Sequence, residues 1–380
     1  MSSIDFYMAK KLIDFLKKDS SVYLLVIDGW ECYYFNPFKK DLTLEQQSRI
    51  INMGIQEQNA VSFAAGLALS GKKVYLVMFA AFLSTRAAEQ IKLDVAYNNA
   101  NVKLIGIHGG FTGPRIAGYS HWAIEDIAII NAVPNIRIFN VSANKNEIDC
   151  ALNNSFNEYG PVYIRLDNPG KDLNDLNYET ATSLPLVLGD DTPNVCIIAT
   201  GNMTNESINL VKILHKNKVN ASLYSAFKLK PFDNNKLKDV LKKKTPIITI
   251  EEHVKYGGLA SIVSEQIALC GYNNAFLPIT VQDKGYNVVL RDYDSAINQI
   301  LGFDNILEKI LKISKPNKKF LSWIYKHYKH FDNKQRFSND YFVFGIPIVQ
   351  IKSYKRNNIS KKALYIMGLR LFSIKQKEGI

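Results

Sequence analysis

Apolar and polar positions follow two alternating rhythms along the first part of the chain. Short β-branched runs read as buried strands: Val22–Ile27, Val74–Phe79, Val102–His108, Ile136–Asn140 and Val162–Arg165. Between them, apolar residues recur at helical spacing over Glu57–Ser70, which stops before Gly71, and over Leu83–Asn98 and Asn144–Phe156. Met1–Asp19 mixes acidic and apolar residues and reads as an amphipathic helix rather than a leader peptide. This alternation predicts an α/β domain with a mainly parallel sheet.

A polar stretch, residues 171–194, reads as a linker. A second strand–helix series follows it. Its expected strands are Val195–Ala199, Ala221–Tyr224, Ile247–Ile250 and Ala275–Thr280; its expected helices lie near Thr204–His215, Asn234–Lys243, Leu259–Leu269 and Ile306–Ile313. The fold class expected is therefore α/β, with two consecutive α/β domains over residues 1–172 and 190–313 and a small extension over 314–380. Within the extension, Ser338–Lys352 and Ser360–Lys375 form a weak repeat with a period of 23, Gly345 aligning with Gly368. Its alternating apolar positions suggest two small β units.

Charge sharpens that last boundary. The 380 residues carry a net charge of +12, but residues 309–380 hold 17 Lys+Arg against only Asp332, Asp340 and Glu378. That is +14 for the extension and −2 for the rest. The body is near neutral, so the excess charge is no argument for nucleic-acid binding by the domains, and nothing in the extension resembles a docking helix or zinc module. The basic, aromatic extension suits an acidic partner or an anionic membrane face. No run of about 18 apolar residues is present, so no membrane-spanning helix is expected. Cys32, Cys150, Cys196 and Cys270 form no CxxC pair, which fits a reduced, cytoplasmic protein and argues against a disulfide or zinc framework.

Candidate chemistry concentrates around residues 49–71. A strand enters a turn at Gly54, and a helix then opens with a carboxylate, Glu57, in its first turn. Taken alone, that carboxylate is a partner for the helix dipole. The neighbouring blocks change the picture. "INMGIQEQNAVSFAAGLALSGKKVYLVMF", "FAAFLSTRAAEQIKLDVAY", "GYSHWAIEDIAIINAVPNIRIF", "GPVYIRL" and "ITIEEHVKYGGLASIVSEQIA" resemble, in order, segments of the C-terminal half of transketolases and deoxyxylulose-phosphate synthases. These are thiamine-diphosphate (TPP) enzymes, and the resemblance covers about residues 5–310. It is closest to split, half-length transketolases, including variants found among surface-polysaccharide enzymes.

The resemblance implies roles residue by residue. Glu57 corresponds to the catalytic glutamate, which hydrogen-bonds the pyrimidine nitrogen of TPP and promotes loss of the thiazolium proton. Phe82 corresponds to the ring on the pyrimidine face, with Phe79 nearby and Ile55 beside the cofactor. His121, and with a one-residue offset His108, correspond to substrate histidines, of which His121 also moves protons. Arg165, Arg86 and Arg115 are the expected substrate contacts. Two departures mark the substrate as unusual: Ala117 stands where family members place Asp, and Asn168 where they place a phosphate-binding Arg. Arg86, Arg115 and Lys171 could compensate for the second.

The family's Gly-Asp-Gly motif, with its downstream Asn, holds Mg²⁺ and the diphosphate; this sequence has none. The resemblance thus implies a separate N-terminal transketolase subunit that holds Mg²⁺, an α2β2 assembly, and TPP at the interface. The expected reaction is transfer of a two-carbon ketol unit between sugars or sugar phosphates. The alternatives are a decarboxylating carboligase of the deoxyxylulose-phosphate-synthase type and a non-catalytic assembly subunit.

Overall fold

A computed structural model describes residues 3–27, 35–113, 116–167, 172–174, 176–283, 293–302, 305–313, 336–343, 346–356, 359–366 and 369–377. Packing divides the chain into two units, Met1–Ile310 and Leu311–Ile380.

The first unit holds two sheets. β1 (Val22–Val26), β2 (Ile50–Asn52), β3 (Lys73–Phe79), β4 (Val102–Ile107), β5 (Arg137–Val141) and β6 (Val162–Leu166) run parallel in the order β5-β6-β4-β3-β1-β2. The second sheet is built from β7 (Leu186–Leu188), β8 (Val195–Ala199), β9 (Ala221–Ser225), β11 (Ile247–Val254) and β12 (Phe276–Val281), in the order β12-β11-β8-β9-β7. All its neighbours are parallel except β7, which runs antiparallel to β9. Near-continuous burial along β4, β6, β8 and β9 follows from helices covering both faces of a parallel sheet. The helix Ile4–Lys18 seals one face with Met8, Leu12 and Leu16, all fully buried; Glu57–Leu69 covers the other with Ala60, Val61 and Ala64. No helix among the described residues is long and apolar enough to cross a membrane.

Three features depart from expectation. The 171–194 stretch, expected to be loop, contains β7, because Leu186 and Leu188 find an edge on β9. The helix expected over Leu83–Asn98 is instead an α-helix, Ala80–Arg86, a short turn at Ala88–Gln90, and a π-helix, Ile91–Tyr97. β10 (Lys228–Lys230), from the second half of the sequence, pairs antiparallel with β5 and becomes the seventh strand of the first sheet. The two domains therefore share hydrogen-bonded structure.

The second unit contains one antiparallel meander: β13 (Arg336–Val343), β14 (Ile346–Arg356), β15 (Ile359–Ile366) and β16 (Leu369–Lys377). The first repeat falls on β13–β14 and the second on β15–β16, so each copy is a hairpin. Gly345 and Gly368 lie outside the described residues.

Candidate functional site

β2, β3 and β4 run parallel and end at one edge of the first sheet, the usual place for ligands in such folds. β2 runs into a turn at Gly54, whose N–H donates to Asn52 Oδ1 at 2.9 Å, and the helix Glu57–Leu69 begins three residues later. Glu57 is the first residue of that helix and is buried (7 % exposed). β3 passes directly into the helix Ala80–Arg86, with Phe79 at the junction and Phe82 and Arg86 one turn apart. His108 follows β4 directly and adopts a left-handed backbone (φ +55°) that costs an ordinary residue about 1 kcal/mol or more.

These side chains converge. The Phe79 ring lies 5.1 Å from the His108 ring and 5.9 Å from those of Phe82 and His121; Phe82 and His121 are 5.0 Å apart. Ser120 Oγ lies 3.0 Å from His121 Nδ1. Arg86 donates from Nη1 to Glu57 Oε1 at 2.7 Å, and its guanidinium carbon stands 4.1 Å from the Phe82 ring centre. Burial, reinforced by His121, lowers the His108 pKa to about 4, so its imidazole is neutral at physiological pH. Its Nδ1 is buried with no hydrogen-bond partner among the described residues. A buried polar atom of this kind at a ring cluster is suited to a ligand group. The arrangement offers a carboxylate, two aromatic faces, two imidazoles and a half-exposed guanidinium at one place.

The other expected residues are not among these contacts. Ile55 is exposed, just after the Gly54 turn. Arg115, Asn168 and Lys171 lie outside the described residues. Arg165, expected as a substrate contact, is fully buried at the junction of the two domains. Its Nε donates to Asp126 Oδ2 at 2.8 Å, Nη1 donates to Asp167, and Nη2 donates to the carbonyls of Ala123 (2.7 Å) and Glu252 (3.1 Å). With its donors spent on these groups, it acts as a structural cation. It is outnumbered by Asp126, Asp167 and Glu252, and burial together with the Glu252 charge lifts the Asp167 pKa to about 7.

The junction also explains the stretch Glu251-Glu252-His253, which carried no assigned role in the sequence. His253 Nε2 accepts from Ala128 N at 3.2 Å, with Nδ1 facing its neighbour's carbonyl, Val254 O, at 2.6 Å. Burial lowers its pKa, keeping the ring neutral. The signal was three consecutive polar residues in a strand otherwise buried throughout.

Comparison with known proteins places this architecture. Residues 17–169 match the model for the transketolase pyrimidine-binding domain, and residues 187–294 that for the transketolase C-terminal domain. The chain is 32 % identical over 280 residues to one subunit of the apulose-4-phosphate transketolase of Actinobacillus succinogenes, covering 73 % of this chain and 86 % of that one. It is 29 % identical over 286 residues to a 6-deoxy-6-sulfo-D-fructose transketolase subunit of a Clostridium species, covering 74 % and 85 %. A solved split-gene transketolase described as an inactive β4 tetramer superposes with a TM-score of 0.68 at 26 % identity, over 83 % of this chain and 99 % of that one. The chain belongs to the transketolase family, as a transketolase-like transferase carrying the pyrimidine-binding and C-terminal domains.

Proposed function

We propose that this chain is the second subunit of a split transketolase, which joins a separate diphosphate-binding subunit to hold TPP and moves a two-carbon ketol unit between sugars. The observation that carries this is the convergence of Glu57, Phe79, Phe82, His108 and His121 at the C-terminal edge of the sheet. The naming of the relatives as subunits, and the inactive assembly of β chains alone, support the need for a partner. The partner supplies the Mg²⁺ site, in an α2β2 assembly within the cytoplasm.

TPP supplies the carbanion equivalent that cleaves the ketose C2–C3 bond. The remaining work falls to this chain. Glu57, on a helix start, presents a carboxylate to the pyrimidine nitrogen from a site where water is largely excluded. Phe82 gives that ring a flat face at low entropic cost, Phe79 stands edge-on to Phe82, and Ile55 borders the ring. His121, with Ser120 on its Nδ1, exchanges protons with substrate hydroxyls, while neutral His108 uses its buried Nδ1 as a hydrogen-bonding group. Arg86, half exposed, and Arg115 attract an anionic substituent of the sugar. Such a substituent is named in both relatives, a phosphate in one and a sulfo group in the other. We assign the product to surface-polysaccharide sugar synthesis and the basic second unit to contact with an acidic partner or anionic membrane face.

The test is reconstitution. The chain, co-purified with a Gly-Asp-Gly-bearing subunit and given TPP, Mg²⁺ and an aldose acceptor, is expected to consume a ketose donor, release the shortened aldose and lengthen the acceptor by two carbons, while the chain alone does none of these. Pyruvate-dependent CO₂ release without ketose cleavage would instead place the pair among decarboxylating carboligases.

A further inference from the structure

The two histidines of the site sit on one loop, which leaves β4 at His108 and returns through Trp122. Its neck is closed by reciprocal bonds between Gly110 and Ala123, both 2.9 Å. One bond from outside comes from the first domain, Gly109 N donating to Leu166 O on β6 at 2.8 Å; the other grips on the neck involve the second domain. Glu252, on β11, accepts from Phe111 N and Thr112 N on Oε2, both at 3.0 Å, and from Thr112 Oγ1 on Oε1 at 2.6 Å. Its Oε1 also accepts from Asn202 Nδ2 at 2.9 Å. On the other side of the neck, Arg165 bridges the carbonyls of Ala123 and Glu252, and Val254 N donates to Ile124 O at 2.8 Å.

The fit leaves no slack. A Cβ built on Gly110 would lie 2.2 Å from Glu252 Oε2, and Gly110 has φ +71°. A Cβ on Gly109 would lie 2.7 Å from Arg165 Cγ. The glycine pair after β4 is therefore shaped to the carboxylate and the guanidinium that hold it. The neighbouring glutamate does something else. Glu251 accepts from Leu259 N and Ala260 N, both at 2.8 Å, at the start of the helix Leu259–Leu269 in its own domain. One glutamate builds the second domain; the next reaches out of it.

We infer that Glu252 is a positioning residue for the His108–His121 loop, so that the C-terminal domain sets substrate geometry in a site it does not line. The loop grip is read from the structure alone; its consequence for catalysis rests on the function proposed above. A carboxylate is suited to this place because four donors converge on it and it offers only acceptors. Glutamine in its place keeps the shape but turns an NH₂ toward at least one of those donors.

The test compares Glu252→Gln with Glu251→Gln in the full chain by hydrogen–deuterium exchange. Both substitutions lower thermal stability, but only Glu252→Gln is expected to speed exchange across 109–124, by about tenfold. Thr112→Val, a milder change, is expected to give a smaller rise confined to 109–113. Unchanged exchange in both Glu252→Gln and Thr112→Val, or equal acceleration in the Glu251 variant, overturns the grip. In the reconstituted enzyme, Glu252→Gln is expected to raise the KM of the ketose donor about tenfold while TPP affinity stays within about twofold. A loosened loop with an unchanged donor KM overturns the positioning role. If wild-type protein with its partner transfers no ketol unit, the functional reading fails, and the exchange comparison still decides the grip.

Discussion

Two arginine–carboxylate pairs of nearly equal length divide this molecule. Arg86 meets Glu57 at 2.7 Å at the open edge of the first sheet; Arg165 meets Asp126 at 2.8 Å in the domain junction. The Arg86 side chain is 51 % exposed, and both members of the junction pair are fully buried. Arg86 keeps half its surface in water, so the first pair is partly screened and its guanidinium stays available to a ligand, although the Glu57 side chain is only 8 % exposed. The second is bound into a network whose members have already given up their water, so its removal strands charge. Equal geometry thus serves a replaceable contact in one place and a fixed scaffold in the other.

The sharpest way to break the comparison is Arg165→Met. It leaves Asp126 and Asp167 without their cation, and the carbonyls of Ala123 and Glu252 without their donor, and is expected to cost about 3–5 kcal/mol in chemical denaturation. A loss below about 1 kcal/mol would make the junction no different from the open site. Glu57→Gln is expected to do the reverse: turnover in the reconstituted enzyme falls about a hundredfold or more, while stability shifts by less than about 1 kcal/mol. Near-normal turnover would remove Glu57 from the chemistry. Next comes Arg86→Met, expected to raise the KM of an anionic donor about tenfold with little change in melting temperature. An equal effect on an uncharged donor would count against that role.

The smallest effect is a titration. The His108 pKa is lowered to about 4, below the ordinary histidine value, so the unfolded chain binds more protons than the folded one between those values. The contribution to stability is therefore present above the unfolded pKa and lost as pH falls toward about 4. His121→Asn removes the lesser of the two causes, so NMR is expected to show the His108 midpoint rising only part of the way toward its ordinary value. A full return would mean that charge, not burial, sets it.

Much of this was legible along the chain because it is written in local pattern. β-branched runs gave the parallel strands, and Gly54 followed by Glu57 marked a turn and a helix start. The Phe79–Phe82 spacing put two rings at the end of a strand, where the structure places them against both histidines. The failures have a common origin. Arg165 looked like a substrate contact because its place near the end of β6 was visible and its four partners were not; Glu252 is 87 residues away from it. β10 was invisible for the same reason: three residues become a strand only where β5 offers an edge. The π-helix Ile91–Tyr97 keeps helical periodicity in sequence, so only the backbone reveals it.

The sequence by itself determined the α/β class, the near-neutral body with its basic extension, and a set of residue types suited to thiamine chemistry. These follow from composition, spacing and resemblance, which neighbours along the chain carry. Tertiary structure alone decided which charges are available and which are walled in. A carboxylate is a reagent or a strut according to the water and donors around it, and those come from segments as far apart as Phe111 and Glu252.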